Sequence, residues 1–140
     1  MSEYDLQRFI DAQDPVWPTV RGELKAGRKQ THWMWFVFPQ LAGLGLSPTA
    51  QHFAIADLGE AKLYLSHEVL GTRLLQASSL VAKIEGRKVG EIFGYPDDLK
   101  LHSSMTLFAE ADPQSAVFGS VLKKYFGGRP DERTLDLLGD

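Results

Sequence analysis

The sequence predicts a mainly α-helical fold, a bundle of about seven to nine short helices in one domain spanning residues 1–140. Apolar residues recur at three- and four-residue spacing in segment after segment. The segments are punctuated by helix starts at Asp14-Pro15, Ser47-Pro48 and Asp112-Pro113 and by stops at Gly27, Gly86 and Gly127-Gly128. Outside residues 31–38, no segment reads as a strand.

From the N-terminus, Ser2 is placed to cap a first helix, with Asp5 three residues on and Leu6, Phe9 and Ile10 as its apolar stripe. That helix ends near Gln13. Asp14 as N-cap and Pro15 at the first helical position then open a second, with Val16, Val20 and Leu24 on one face. Pro18 falls in its first turn, where a missing N–H costs little.

Thr31–Phe38 contains consecutive apolar residues that fit a buried strand or a buried helical turn. With no partner strand in view, a short buried helix ended by Pro39 is the reading adopted. Ala42–Leu46 is a glycine-punctuated loop, and Ser47-Pro48 opens a helix through about Ala56.

Asp57 with Glu60 has the form of a capping box for a helix to about Ser66. Leu70, Leu74, Ala77, Val81 and Ile84 then mark the clearest packed seam in the chain. Val89–Phe93 is read as one helical turn. Asp97 or Asp98 begins a helix through about Ala111, with Leu101, Met105 and Phe108 inward. Asp112-Pro113 starts another, lined by Val117, Val121 and Tyr125, and Asp131 caps a last helix bearing Leu135 and Leu138.

Composition sets bounds on function. The chain has 140 residues, 44% of them hydrophobic and 24% charged, with a net charge of −3. It is neither disordered nor membrane-spanning in character, and the apolar run Trp33–Phe38 is too short to cross a bilayer. The acidic balance argues against nucleic acid as a partner, because such binding rests on phosphate neutralisation. There are no cysteines, which excludes disulfides, a thiolate metal site and a cysteine nucleophile. The N-terminus has no apolar signal-like core, so a cytoplasmic location is expected.

Phosphate-binding glycine loops, HExxH and nucleophile-elbow motifs are all missing, and the four histidines show no ligand spacing. No metal and no cofactor are therefore expected.

Two stretches depart from ordinary packing. The first is His32–Gly45, HWMWFVFPQLAGLG. Its aromatics suit a core. They also suit a pocket, with Trp33 or Trp35 as a ring wall, His32 and Gln40 as polar groups, and Gly43 and Gly45 admitting a ligand to the backbone. The second is Tyr95–Leu107, YPDDLKLHSSMTL. Asp97, Asp98, Lys100, His102, Ser103 and Ser104 fall there on the start of a helix, where free N–H groups favour anions. Asp98 and His102, four apart, share a face, so the carboxylate is placed to orient the imidazole as a base. The bland alternatives are capping aspartates, a solvated lysine and serines bonded back to the helix. Arg73, beside the packed seam, either extends its charge outward or clamps an anion.

The run HWMWFVFPQL at His32–Leu41, then Gly43-Leu44-Gly45 and Ser47, LGTRL at Leu70–Leu74 and FGYPDDLKLHSSMTLF at Phe93–Phe108 resemble a bacterial family known as domain of unknown function 1810. The resemblance runs across nearly the whole chain. It implies a compact, mainly helical single domain and brings no activity. Some members carry the label calpastatin, a disordered inhibitor, which this aromatic, periodic sequence does not resemble.

The leading expectation for function is a small-molecule binding or hydrolytic protein for a nucleotide-like or other phosphorylated ligand. A tryptophan would stack a ring, Arg73 and Lys100 would hold an anion, and His32 or His102 would move a proton. The alternative is a protein-interaction module without catalysis, its partner unspecified, using the Pro39–Leu46 loop.

Overall fold

The structure, a computed structural model, describes residues 4–139. The expected cap at Ser2 lies outside the described residues. Among the described residues ten helices follow one another: α1 (Gln7–Gln13), α2 (Trp17–Lys25), α3 (Met34–Val37), α4 (Pro48–His52), α5 (Leu58–Ser66), α6 (Glu68–Lys83), α7 (Val89–Phe93), α8 (Asp97–Ala111), α9 (Ala116–Phe126) and α10 (Glu132–Leu138). The mainly α expectation holds. No helix among the described residues is long and apolar enough to cross a membrane.

Two helices organise the rest. The seam helix α6 buries Leu70, Leu74, Ala77 and Val81 and packs against α5, α9 and α2. Helix α8 packs against α5, α9, α10 and α7. Leu101, Met105 and Phe108 are buried as expected, but so are Ser103, Ser104, Thr106 and Leu107. A helix covered on most sides has no clean polar face, which is why a single inward stripe understates its burial.

Several helix starts differ from the sequence reading. Asp14 does not cap α2: it continues the first helix with φ −51° and ψ −49°, its N–H donating to Ile10 O. Its carboxylate faces Arg73 at 2.9 Å. Helix α2 begins at Trp17 instead, with Pro18 in its first turn.

Likewise, Asp112 closes α8, and its Oδ1 accepts the Gln114 N–H at 3.2 Å. Helix α9 starts later, at Ala116. Helix α4 has the expected Ser47 cap, Oγ accepting from Ala50 N, but stops at His52 rather than near Ala56. Beyond it, Ile55 N donates to Gln40 O at 2.9 Å and Ala42 N to Ile55 O at 2.8 Å. This parallel bridge replaces the last turn of the expected helix and pins Gln40.

Asp57 caps α5 by accepting the Glu60 N–H at 2.9 Å. The reciprocal half of the box is redirected: Glu60, 2% exposed, accepts the Ala56 N–H at 2.7 Å and pairs with Arg8 at 3.1 Å. A buried carboxylate needs such compensation. Arg8 also donates to the carbonyls of His52 and Ala54, so it satisfies the chain end that α4 leaves open.

Candidate functional site: a cleft joining two stretches

The ambiguous segment Thr31–Phe38 contains the one-turn helix α3, and most of its aromatic mass is core. Trp33 and Phe38 are each 1% exposed and surround Phe93 edge-on at 6.5 and 6.1 Å between ring centres. Trp33 is therefore not a ligand wall. Its Nε1 donates to Glu23 Oε1 at 2.9 Å, and the same carboxylate takes the N–H groups of Gln30 and Thr31 and the Thr31 hydroxyl. Partial burial pushes Glu23 upward, but these hydrogen bonds together outweigh it and hold its carboxyl below the ordinary range.

A cleft of about 270 Å³ opens between the Gln40–Gly45 segment, the first half of α8 and the start of α10. Leu44, Pro96 and Leu99 form apolar wall; Gln40, Lys100, His102, Ser103, Asp131 and Arg133 supply polar groups, and Gly45 completes the lining. The two unusual stretches meet here directly: the Ser103 hydroxyl donates to Gln40 Oε1 at 2.7 Å. Gly45 has no room for a side chain, since a Cβ would stand 2.5 Å from the Ala50 Cβ and 3.1 Å from Gln40 Nε2.

The charges are arranged unevenly. Lys100 Nζ sits 5.0 Å from the centre of the half-buried Trp35 ring and 3.6 Å from Asp97 Oδ1. Asp97 Oδ2 pairs at 2.8 Å with Lys29, whose side chain is only 6% exposed. Asp97 thus serves two lysines and does not line the cleft. Arg133 makes no hydrogen bond or ion pair among the described residues. Asp131 caps α10, its Oδ2 accepting from Thr134 N and Oγ1 at 3.2 and 2.6 Å.

His102 is held from behind. Its ring stacks on Phe126 at 4.1 Å and 5°, and Nε2 lies 2.8 Å from Arg129 O. A carbonyl only accepts, so Nε2 carries the hydrogen and Nδ1 is the ring nitrogen left over. Asp98 does not orient it. Among the described residues, Asp98 makes no hydrogen bond to His102, and its Oδ1 accepts the Leu99 N–H at 2.9 Å.

Three N–H groups of the helix start are engaged within the chain. Asp98 N donates to Gly94 O, and Leu99 N and Lys100 N donate to Pro96 O.

The remaining sequence-predicted residues lie elsewhere. Arg73 neither extends freely nor reaches the cleft: it pairs with Asp14 at 2.9 Å, donates to Gln13 at 3.3 Å and covers Trp17. His32 is exposed and is not part of the lining. Gly43 turns the chain at φ +101° against Leu137. Ser104 is fully buried with its Oγ unpartnered among the described residues.

Asp131 was readable only as a cap, and Arg133 carried no signal. What brings α10 to α8 is long-range: Asp131 N donates to Thr106 Oγ1 at 2.9 Å.

A second hollow of about 340 Å³ lies between Leu41-Ala42, the start of α5 and Leu137-Leu138. Its charged group, Asp57, is engaged by Glu60 N and by the Tyr4 hydroxyl at 2.8 Å. No cation lines it. Among the described residues, no group of three or more His, Cys, Asp or Glu gathers where a metal ion would fit.

A family model described as "Protein of unknown function (DUF1810)" matches residues 3–138. Among solved structures, the chain is similar to the crystal structure of the conserved hypothetical protein Rv1873 from Mycobacterium tuberculosis. The two are 54% identical over 99% of each chain, with a TM-score of 0.97. No curated protein matches.

Proposed function

We propose that this chain, which belongs to the DUF1810 family of proteins of unknown function, binds a small phosphorylated or nucleotide-like anion in the cleft of α8 and α10. The observation that carries this reading is the pairing of Lys100 and Arg133 with the Gln40–Ser103 contact around one 270 Å³ hollow. Mostly apolar walls with a few placed polar groups are the usual make-up of small-ligand sites. Leu44, Pro96 and Leu99 suit the apolar face of a ring; Lys100 and Arg133 suit an oxyanion.

Binding is what this geometry supports first. Hydrolysis would need a base, and His102, with Nδ1 uncommitted, is the residue placed to act as one. His32, Asp98 and Arg73 do not line the cleft and have no part in it.

The test is thermal denaturation with inorganic phosphate, AMP and adenosine in turn. An anion present at a hundred times its Kd raises Tm by roughly 5 °C or more, and Lys100→Ala with Arg133→Ala removes the rise. Failure of every anion to shift Tm overturns the reading.

One observation favours a second reading, a protein-interaction surface. Leu46 and Tyr95 are each 82% exposed and Leu99 53% exposed, and all three lie in or next to the cleft's lining segments. Exposed apolar groups of this kind mark contact surfaces. Leu46→Asp separates the two: it leaves AMP binding intact and abolishes any partner contact made by this rim.

A further inference from the structure

We propose that Gln40 is the residue that makes the cleft select an oxyanion, and that Ser103 is its positioning residue. This deepens the anion-binding reading and rests on it.

A glutamine amide has one end that donates and one that accepts, and a free side chain offers either. Gln40 is not free. Its backbone carbonyl accepts the Ile55 N–H at 2.9 Å, so the residue is rooted in the parallel bridge. At the other end, the Ser103 hydroxyl lies 2.7 Å from Oε1, closer than it lies to Lys100 O at 3.1 Å or Leu99 O at 3.4 Å. The serine proton therefore goes to Oε1. Ser103 is 4% exposed, so water does not compete strongly for it.

With Oε1 committed, Nε2 is the end that faces Gly45, where even a Cβ would crowd it at 3.1 Å. Its N–H groups have no partner among the described residues. They stand in the same cleft as Lys100 and Arg133. The one carboxylate lining that cleft, Asp131, already spends Oδ2 on its helix cap. The set presented to a ligand is thus dominated by donors. A phosphate or carboxylate accepts from all of them; an amine or amide hydrogen leaves Nε2 unpaired and has only His102 Nδ1 and Asp131 Oδ1 to turn to.

Isothermal titration calorimetry with AMP and with adenosine tests this on the wild type, Gln40→Glu, Gln40→Met and Ser103→Ala. Gln40→Glu keeps the shape and the Ser103 hydrogen bond but turns an oxygen toward the cleft. The expected result is AMP binding weakened about a hundredfold or more, with adenosine changed far less. Gln40→Met, which deletes the donor without adding charge, weakens AMP about tenfold. It also serves if the glutamate variant fails to fold. Ser103→Ala lets the amide flip and lowers the AMP-to-adenosine ratio severalfold, a readout that a merely structural loss would not move.

An unchanged ratio in the Gln40 variants overturns this inference and leaves the anion site standing. A wild type that binds neither AMP nor inorganic phosphate overturns both.

Discussion

Trp33 donates its indole hydrogen to Glu23 at 2.9 Å, and that bond ties the most unusual stretch of the chain to α2. The same carboxylate orders residues 30 and 31. Glu23→Ala leaves a buried indole N–H and two backbone N–H groups seeking water. The expected cost is about 2–3 kcal/mol in urea denaturation, consistent with hydrogen bonds to a charged acceptor. A loss below about 0.5 kcal/mol, the level of an ordinary surface change, would contradict the role given to Glu23.

Acid sensitivity follows from two carboxylates. Glu23 and Asp57 are both held below their ordinary values, Asp57 chiefly by the Glu60 N–H and then by the Tyr4 hydroxyl. A depressed carboxyl favours the folded state above the unfolded value, near pH 4, and that contribution is lost as pH falls through the folded value. Urea midpoints should therefore hold between pH 7 and about pH 5 and drop below about pH 4. Glu23→Gln and Asp57→Asn should each lower the midpoint at pH 7 and flatten the acid limb. Variants as acid-sensitive as the wild type would contradict this.

The Lys29–Asp97 pair, 2.8 Å apart, predicts an asymmetry. Asp97→Ala leaves the covered Lys29 ammonium without its counter-charge, at a cost of about 3 kcal/mol. Lys29→Met removes the charge with its stem retained and leaves Asp97 partly solvated and still near Lys100, at a cost of about 1 kcal/mol. Equal losses, measured by chemical denaturation, would contradict the burial assigned to Lys29.

Two helical glycines predict opposite signs. At Gly71 a Cβ would lie 2.0 Å from Leu65 O, so Gly71→Ala forces α6 off α5 and destabilises by several kcal/mol. At Gly119 in α9 nothing lies within 4 Å, so Gly119→Ala gains about 0.5–1 kcal/mol through chain entropy. Melting curves of the two variants check both signs.

The helices were legible because their signals are local. The seam of α6, the caps at Ser47, Asp57 and Asp131 and the turn Val89–Phe93 all follow from residues within a few positions of each other. The Asp-Pro starts misled because each aspartate had a nearer or stronger partner: Arg73 for Asp14, the Gln114 N–H for Asp112. In the cleft, Gln40, Gly45, Lys100, His102 and Ser103 stood out by type, yet their meeting depends on contacts across the fold. Ser103 and Gln40 are 63 residues apart, and His102 and Arg129 are 27 apart. Trp33 and Arg73 were unusual in composition for structural reasons, and only their partners reveal that. Arg133 looked like any surface arginine until α10 was placed.

The most direct test of the proposed anion site is a backbone and side-chain amide NMR titration of the full chain with AMP. The site as described predicts shifts concentrated at Gln40, including its Nε2 hydrogens, and at Gly45, Lys100, His102, Ser103 and Arg133. Residues around Arg73 and the hollow at Leu137-Leu138 should stay still. Shifts centred on those other regions, or no shifts at millimolar AMP, would contradict it.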